Sequence, residues 1–298
     1  MRPAWSVILL TTLIGAAQGL FLVVFLIDAF RSPPKQFVIL CCGTVLALLV
    51  CGLAASFFHL GRPERAWRAA AMWRTSWLSR EVIVLPAFMG FVFLYVVSSS
   101  PIAGAIAALL CLALFICTAM IYACLKFLQE WHTPLTVANF ILLGLASGLT
   151  LSVPLAVLRY PQFAGPLALA AFGAGALAWL VRVATLIRNA RLRPKSTLQS
   201  AIGVAHPKIE QKSQGFMGGS YNTREFLPGK PKPIVGAVRW LFLALIFPVP
   251  AWLLGWGGGS LESFIAAFAT QFVGLIAERW YFFAEARHPQ NLYYQFAS

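Results

Sequence analysis

The chain has 298 residues, of which 60% are hydrophobic and 11% charged, with 23 Lys plus Arg against nine Asp plus Glu. Its mean hydropathy is +0.79, whereas a soluble domain is about 45–50% apolar and about 25% charged. An ordinary soluble enzyme, a disordered chain and a disulfide-stapled secreted module are thereby excluded.

Eight apolar stretches follow one another along the chain, at residues 5–29, 36–60, 81–98, 102–125, 135–158, 165–187, 235–256 and 260–285. Each is close to the roughly 20 residues that one helical crossing needs, and about twice the ~10-residue segments of a membrane β-barrel. They predict an all-α fold: a polytopic membrane protein with eight transmembrane helices in a bundle. Residues 1–298 then form a single integral membrane domain. Pro33-Pro34, Pro101, Pro134, Pro161 and Gly257-Gly258-Gly259 punctuate the connections. The first stretch reads as a retained span, because only Arg2 precedes it and no small-residue cleavage site follows. Gly15-x-x-x-Gly19 and Gly144-x-x-x-Gly148 permit close helix contact inside the bundle. Cys41, Cys42, Cys51, Cys111, Cys117 and Cys124 all fall in apolar runs without C-x-x-C spacing, so they read as small packing residues.

Threading the chain eight times places three basic residues, Arg31, Lys35 and Arg159, on one side and the other 20 on the opposite side. An imbalance of this size predicts that both termini face the cytoplasm. Such charge also suits anionic lipid and an acidic protein partner, whereas nucleic acid is not expected. The basic side also holds the bulk. It carries the 59–82 connection and a long cytoplasmic loop, 188–234, between the sixth and seventh helices. The first half of that loop is basic and polar like a tether, while 215–231 mixes aromatics with Gly and Asn as a docking segment would.

The densest polar patch is residues 59–82, HLGRPERAWRAAAMWRTSWLSREV. His59 closes the second span and Glu81 opens the third. Between them Pro63 suits the first turn of a short helix. After it, Arg65 and Arg68 alternate with Trp67, Met72 and Trp73, the mixture of an interfacial amphipathic segment. Two readings stand on residue types alone. The segment is a membrane-surface connector whose arginines set topology, or it is a site for quinone chemistry. A quinone is an apolar ring with two carbonyl oxygens, and its reduction takes up two protons. A histidine can donate to one carbonyl, and a partly buried carboxylate can relay a proton to or from water. In that reading His59 and Glu81 form the quinone-binding and proton-transfer pair. Arg65 and Arg74 give electrostatic support to the quinone or to a docking surface.

Other polar residues in the spans are sparse: Gln18, Asn139, Thr150, Ser152, Gln271 and Glu278. With acids read as lying at span ends, an ion-driven transporter is the weaker alternative. None of His59, His132, His206 and His288 lies inside a span, so neither haem nor metal is expected in this chain.

The run His59-Leu60-Gly61, Pro63, Arg65-Ala66, Leu78-Ser79 and Glu81 resembles the membrane-anchor subunits of the DMSO reductase family. The eight-span layout extends the likeness along the chain. Residues 215–231 and 278–291 resemble the branch that contains membrane subunits of cytoplasmic sulfite dehydrogenases. The resemblance implies a non-catalytic anchor in the bacterial cytoplasmic (inner) membrane, multi-pass, exchanging electrons with ubiquinone or menaquinone. It further implies a ferredoxin-like iron–sulfur subunit and a molybdopterin catalytic subunit as partners, here on the cytoplasmic side. His59 and Glu81 carry over as its quinone-site pair. Quinone reduction coupled to sulfite oxidation is the expected direction, with a quinol-oxidising reductase anchor as the alternative.

Overall fold

The protein's structure, a computed structural model, describes residues 4–58, 62–193, 195, 197–209 and 232–287. Its helices are α1 (Trp5–Arg31), α2 (Lys35–Phe57), α3 (Trp77–Ser98), α4 (Pro101–Ala123), α5 (Pro134–Arg159) and α6 (Ala164–Ala190). The short α7 (Leu198–Ile202) follows, then α8 (Lys232–Ile246), α9 (Pro248–Trp256) and α10 (Leu261–Glu285). Eight helical stretches are long and apolar enough to cross a membrane, with α8 and α9 counting together as the seventh. No strand occurs among the described residues. Of the 188–234 connection, residues 210–231, including the 215–231 segment, lie outside the described residues. Its α7 is held by a reciprocal Thr197–Ser200 capping box.

Short connections force successive spans to run antiparallel. One end of the bundle, here the amino-terminal end, gathers the starts of α1, α3, α5 and α8 with the ends of α2, α4, α6 and α10. The helices begin where polar side chains replace missing carbonyl partners. Ser76, Ser100, Thr133 and Ser260 accept from the backbone N–H of Ser79, Ala103, Leu135 and Ser263. At the opposite end, α9 turns into α10 through Gly258 and Gly259, at φ 70° and 67°, a conformation that costs glycine little.

α1 and α5 form the centre. Burial reaches 67% and 61% of their most apolar stretches, against 17% for Ile234–Trp256 at the periphery. The two glycine motifs explain the contact, for they face each other. A methyl carbon added at Gly148 would overlap the Gly19 and Leu20 backbone, and one at Gly19 would overlap the Gly144 carbonyl. Gln18 adds a link to α4, its Nε2 donating to the Cys111 carbonyl at 3.1 Å. Cys41, Cys42, Cys111 and Cys117 are buried as packing residues, whereas Cys51 and Cys124 are exposed.

The seventh span is not one helix. It breaks at Phe247 (φ −141°, ψ −61°) between α8 and α9. Pro248 and Pro250 supply the cause, since neither carries an N–H for the helical ladder. The ladder partner of the Ile246 carbonyl would be residue 250, a proline. Instead, Gln271 Nε2 of α10 donates to that carbonyl at 3.1 Å. The Leu243 carbonyl, whose helical partner would be the displaced Phe247, accepts from Trp179 Nε1 of α6 at 2.9 Å. Side chains of both neighbours thus satisfy the backbone that proline frees, as a lipid environment demands. Gln271→Leu should strand the Ile246 carbonyl and lower stability by about 1–3 kcal/mol, read as a lower unfolding temperature in detergent.

Candidate functional site

The third span starts earlier than its hydropathy implies. Ser76 caps it, so Trp77, Leu78, Ser79 and Arg80 are already helical. Glu81 therefore lies in the second turn instead of opening the helix, and only 6% of its surface is exposed. Thr118 of α4, itself buried, donates its hydroxyl to Glu81 Oε1 at 2.5 Å. A buried carboxyl group held by one hydroxyl, a turn and a half inside the start of an apolar helix, is a costly arrangement for a purely structural residue.

The connector leading to this carboxyl group follows the expected amphipathic pattern. Pro63–Ala70 forms a 3-10 helix with Pro63 in its first turn. Trp67, Met72, Trp73 and Leu78 are exposed apolar groups around it. Arg80 folds back over the connector, donating from Nε to the Trp73 carbonyl and from Nη2 to the Arg74 carbonyl, both at 2.9 Å. Its guanidinium lies 4.2 Å from the Trp77 ring centroid. Arg65 and Arg74 are exposed. Arg65 Nε is 4.0 Å from Glu64, and the Arg74 guanidinium lies 5.4 Å from the Trp73 ring centroid. The structure pairs Glu81 with Thr118 rather than with either arginine. His59 lies outside the described residues.

A second polar cluster sits at the same end, among α5, α6 and α10. Arg182 Nε is 2.7 Å from Glu278 Oε1, and both side chains are 1% exposed. Arg279 Nη1 is 3.3 Å from Glu278 Oε2, and the Arg279 guanidinium lies 3.7 Å from the Phe140 ring centroid. Glu278, read from the sequence as an acid at a span end, lies two turns inside the end of α10, and Arg182 and Arg279, counted among the basic residues of that end, are buried beside it. Each is buried inside its helix, and the three form a cation–carboxylate–cation row. Asn139 Nδ2 donates to the Thr185 hydroxyl beside it at 2.7 Å. These groups line a small cavity of about 10 Å³, room for about one water, whose lining also includes Glu130 and Asn189.

The turn between α4 and α5 closes this end. Trp131 Nε1 donates to the Phe282 carbonyl at 3.0 Å, and the His132 ring meets the Ala123 carbonyl at 2.6 Å. Between the two polar clusters stands Tyr122, one helical turn beyond Thr118. Its ring packs within 5.3–5.6 Å, centroid to centroid, of Trp131, Phe140, Phe282 and Phe283.

Residues 1–205 match the protein family described as DMSO reductase anchor subunit (DmsC). The chain belongs to that family. Over 99% of its length this anchor chain is also 50% identical to a sulfite dehydrogenase subunit of Allochromatium vinosum, covering 99% of that protein.

In the anchor chain, then, eight membrane-long helices bring two buried acids, Glu81 and Glu278, to one end of the bundle. Sequence reading singled out the first and misjudged the second. An arginine and a Glu-Arg pair inside apolar helices were a usable signal, since isolated charges there are rare unless paired. The identity of the partners was not available without the fold.

Proposed function

We propose that this anchor subunit exchanges electrons with the membrane quinone pool on behalf of a molybdenum and iron–sulfur enzyme of the sulfite dehydrogenase type. The observation that carries the reading is Glu81, a carboxyl group buried just inside the end of the bundle that also bears the basic connector. The Allochromatium relative, named for sulfite dehydrogenase, supports sulfite as the partner's substrate, and with it quinone reduction as the direction. The charge imbalance of 20 to three supports placing that end, both termini and the partners in the cytoplasm, with the inner membrane as the host bilayer.

The residues present suit a quinone. Glu81 and Thr118 offer a polar pair for a ring oxygen, and Leu78, Trp73 and Met72 offer apolar surface nearby. When bound, ubiquinone or menaquinone accepts two electrons and two protons and leaves as quinol. The chain's own task is to hold the ring near an iron–sulfur partner and to manage protons. Thr118 fixes the Glu81 carboxyl group, and Glu81 passes a proton at its free oxygen. His59 is the proposed donor to the other carbonyl, with Arg65 and Arg74 lending positive charge to the docking face. The buried acids at Glu81 and Glu278 lie toward one end of the bundle, away from the bilayer midplane where ion-coupled transporters place theirs.

Glu81→Gln in the assembled complex should lower sulfite-to-decylubiquinone turnover by about 10²-fold or more. Dye-linked sulfite oxidation and subunit assembly should stay at wild-type levels. Normal quinone-linked rates in that variant would overturn the site assignment.

A further inference from the structure

Arg80 stands next to Glu81 in the sequence, yet its guanidinium is engaged elsewhere. It runs back over the connector, where Nε donates to the Trp73 carbonyl and Nη2 to the Arg74 carbonyl, both at 2.9 Å. These two nitrogens form one edge of the guanidinium, a planar fork that two successive carbonyls fill. The same group stands over the Trp77 ring, 4.2 Å from its centroid. One side chain thus holds Trp73, Arg74 and Trp77 together.

The placement of these residues ties them to the candidate site. Ser76 caps α3, so Arg80 lies in the first turn, where a cation opposes the helix dipole. Adjacent positions on a helix do not face each other, which leaves Glu81 to Thr118 of α4 and Arg80 to the connector. Trp77, by contrast, precedes Glu81 by four residues and shares its face, one turn nearer the start of α3. Trp77 is half-buried, whereas Met72 and Trp73 are 63% and 53% exposed. Backbone N–H groups of Thr75 and Ser76 donate to the Met72 carbonyl and fold the turn. Among the described residues, Arg80 is the span residue whose side chain hydrogen-bonds to that turn.

We propose that Arg80 is a positioning residue of the quinone site, a latch that holds Trp77 and the Trp73–Arg74 turn as one wall beside Glu81. The inference rests on the quinone reading of Glu81 and deepens it. An apolar ring binds best against side chains that are already ordered, because each rotamer-rich group immobilised on binding weakens affinity. Without the fork, the Trp73 and Arg74 carbonyls turn to water, and the indoles of Trp73 and Trp77 lose their fixed places. The Glu81 carboxyl group keeps Thr118 and its own place in α3. The latch therefore sets how well the ring is held, not how fast it reacts once bound. The competing account is that Arg80 contributes charge alone, as one of the 20 basic residues of this side, to topology, to lipid or to a docked partner.

Steady-state sulfite-to-decylubiquinone turnover of the assembled complex separates these accounts. Arg80→Met should raise the KM for decylubiquinone roughly tenfold, with kcat and dye-linked sulfite oxidation at wild-type values. Arg80→Lys keeps the charge but offers neither a two-pronged edge nor a flat face, so its KM should rise as well. Should Arg80→Met fail to insert, Arg80→Lys retains the topology charge and carries the test alone. A readout without turnover is hydrogen exchange of residues 72–76, which should be faster in Arg80→Lys than in the wild type. Wild-type KM and exchange in Arg80→Lys leave only the charge and overturn the latch. A lower kcat at unchanged KM assigns Arg80 to partner docking and overturns it too. Either result, with Glu81→Gln inactive, leaves the quinone site standing. Wild-type turnover in Glu81→Gln removes the quinone reading itself.

Discussion

Gly148→Ala should prevent the bundle from closing. The added carbon would overlap the backbone of Gly19 and Leu20, not the end of a flexible side chain, so no rotamer change relieves it. α1 and α5 must separate, and with them the two most buried spans. Overpacking a tight core costs about 1–3 kcal/mol where side chains give way, and more where only backbone can move. The expected result is a loss of more than about 3 kcal/mol, read as a collapse in the yield of folded anchor and in its unfolding temperature. Gly43→Ala is the control, because a carbon added there meets nothing within 4 Å. Equal behaviour of the two variants would show that the α1–α5 contact is looser than the structure has it.

The second large effect comes from Glu278→Ala. It would leave Arg182, 1% exposed, and Arg279 buried beside each other with no carboxylate between them. Removing one partner from a buried ion pair costs about 3–5 kcal/mol, whereas replacing the whole pair by apolar groups of similar volume is often neutral. Arg182→Met combined with Glu278→Leu strands Arg279 alone where Glu278→Ala strands both arginines, and should therefore be more stable than Glu278→Ala, in thermal unfolding of the purified anchor. That ordering runs opposite to a simple count of mutations. If the double variant is the less stable, the row stabilises the fold outright and its charges are matched better than their geometry indicates.

How much of this was legible in the sequence differs between the fold and the site. Spans are written locally: some 20 apolar residues in a row can do little but cross a bilayer. Boundaries shifted only where local chemistry overrode hydropathy. At α3, Ser76 draws four further residues into the helix, Arg80 among them, and so moves Glu81 from the mouth to the second turn. The break at Phe247 was also local, since Pro248 and Pro250 stand two apart in the seventh span. Gln271 and Trp179 as the groups that repair it were not, because they come from α10 and α6. The same limit applies to Arg182 and Glu278. Their depth inside apolar helices is visible in one dimension, but only the packing of α6 on α10 turns two stray charges into a pair. For the 59–82 connection, residue types suggested where chemistry could occur. The structure supplied Thr118, a partner no spacing rule could select.

The separation in sequence between Arg182 and Glu278 also bears on how the protein is made. α6 leaves the ribosome and enters the bilayer well before α10 is synthesised. Until the last helix arrives, Arg182 has no carboxylate to neutralise it, and a lone guanidinium in a hydrocarbon setting is held there only at considerable cost. Before α10 is made, the Arg182 side chain is expected to reach toward water from its place two turns inside the end of α6, and to turn inward when α10 brings Glu278. A chain cut short before α10 would keep an unneutralised arginine on α6, a ready mark for membrane quality-control proteases.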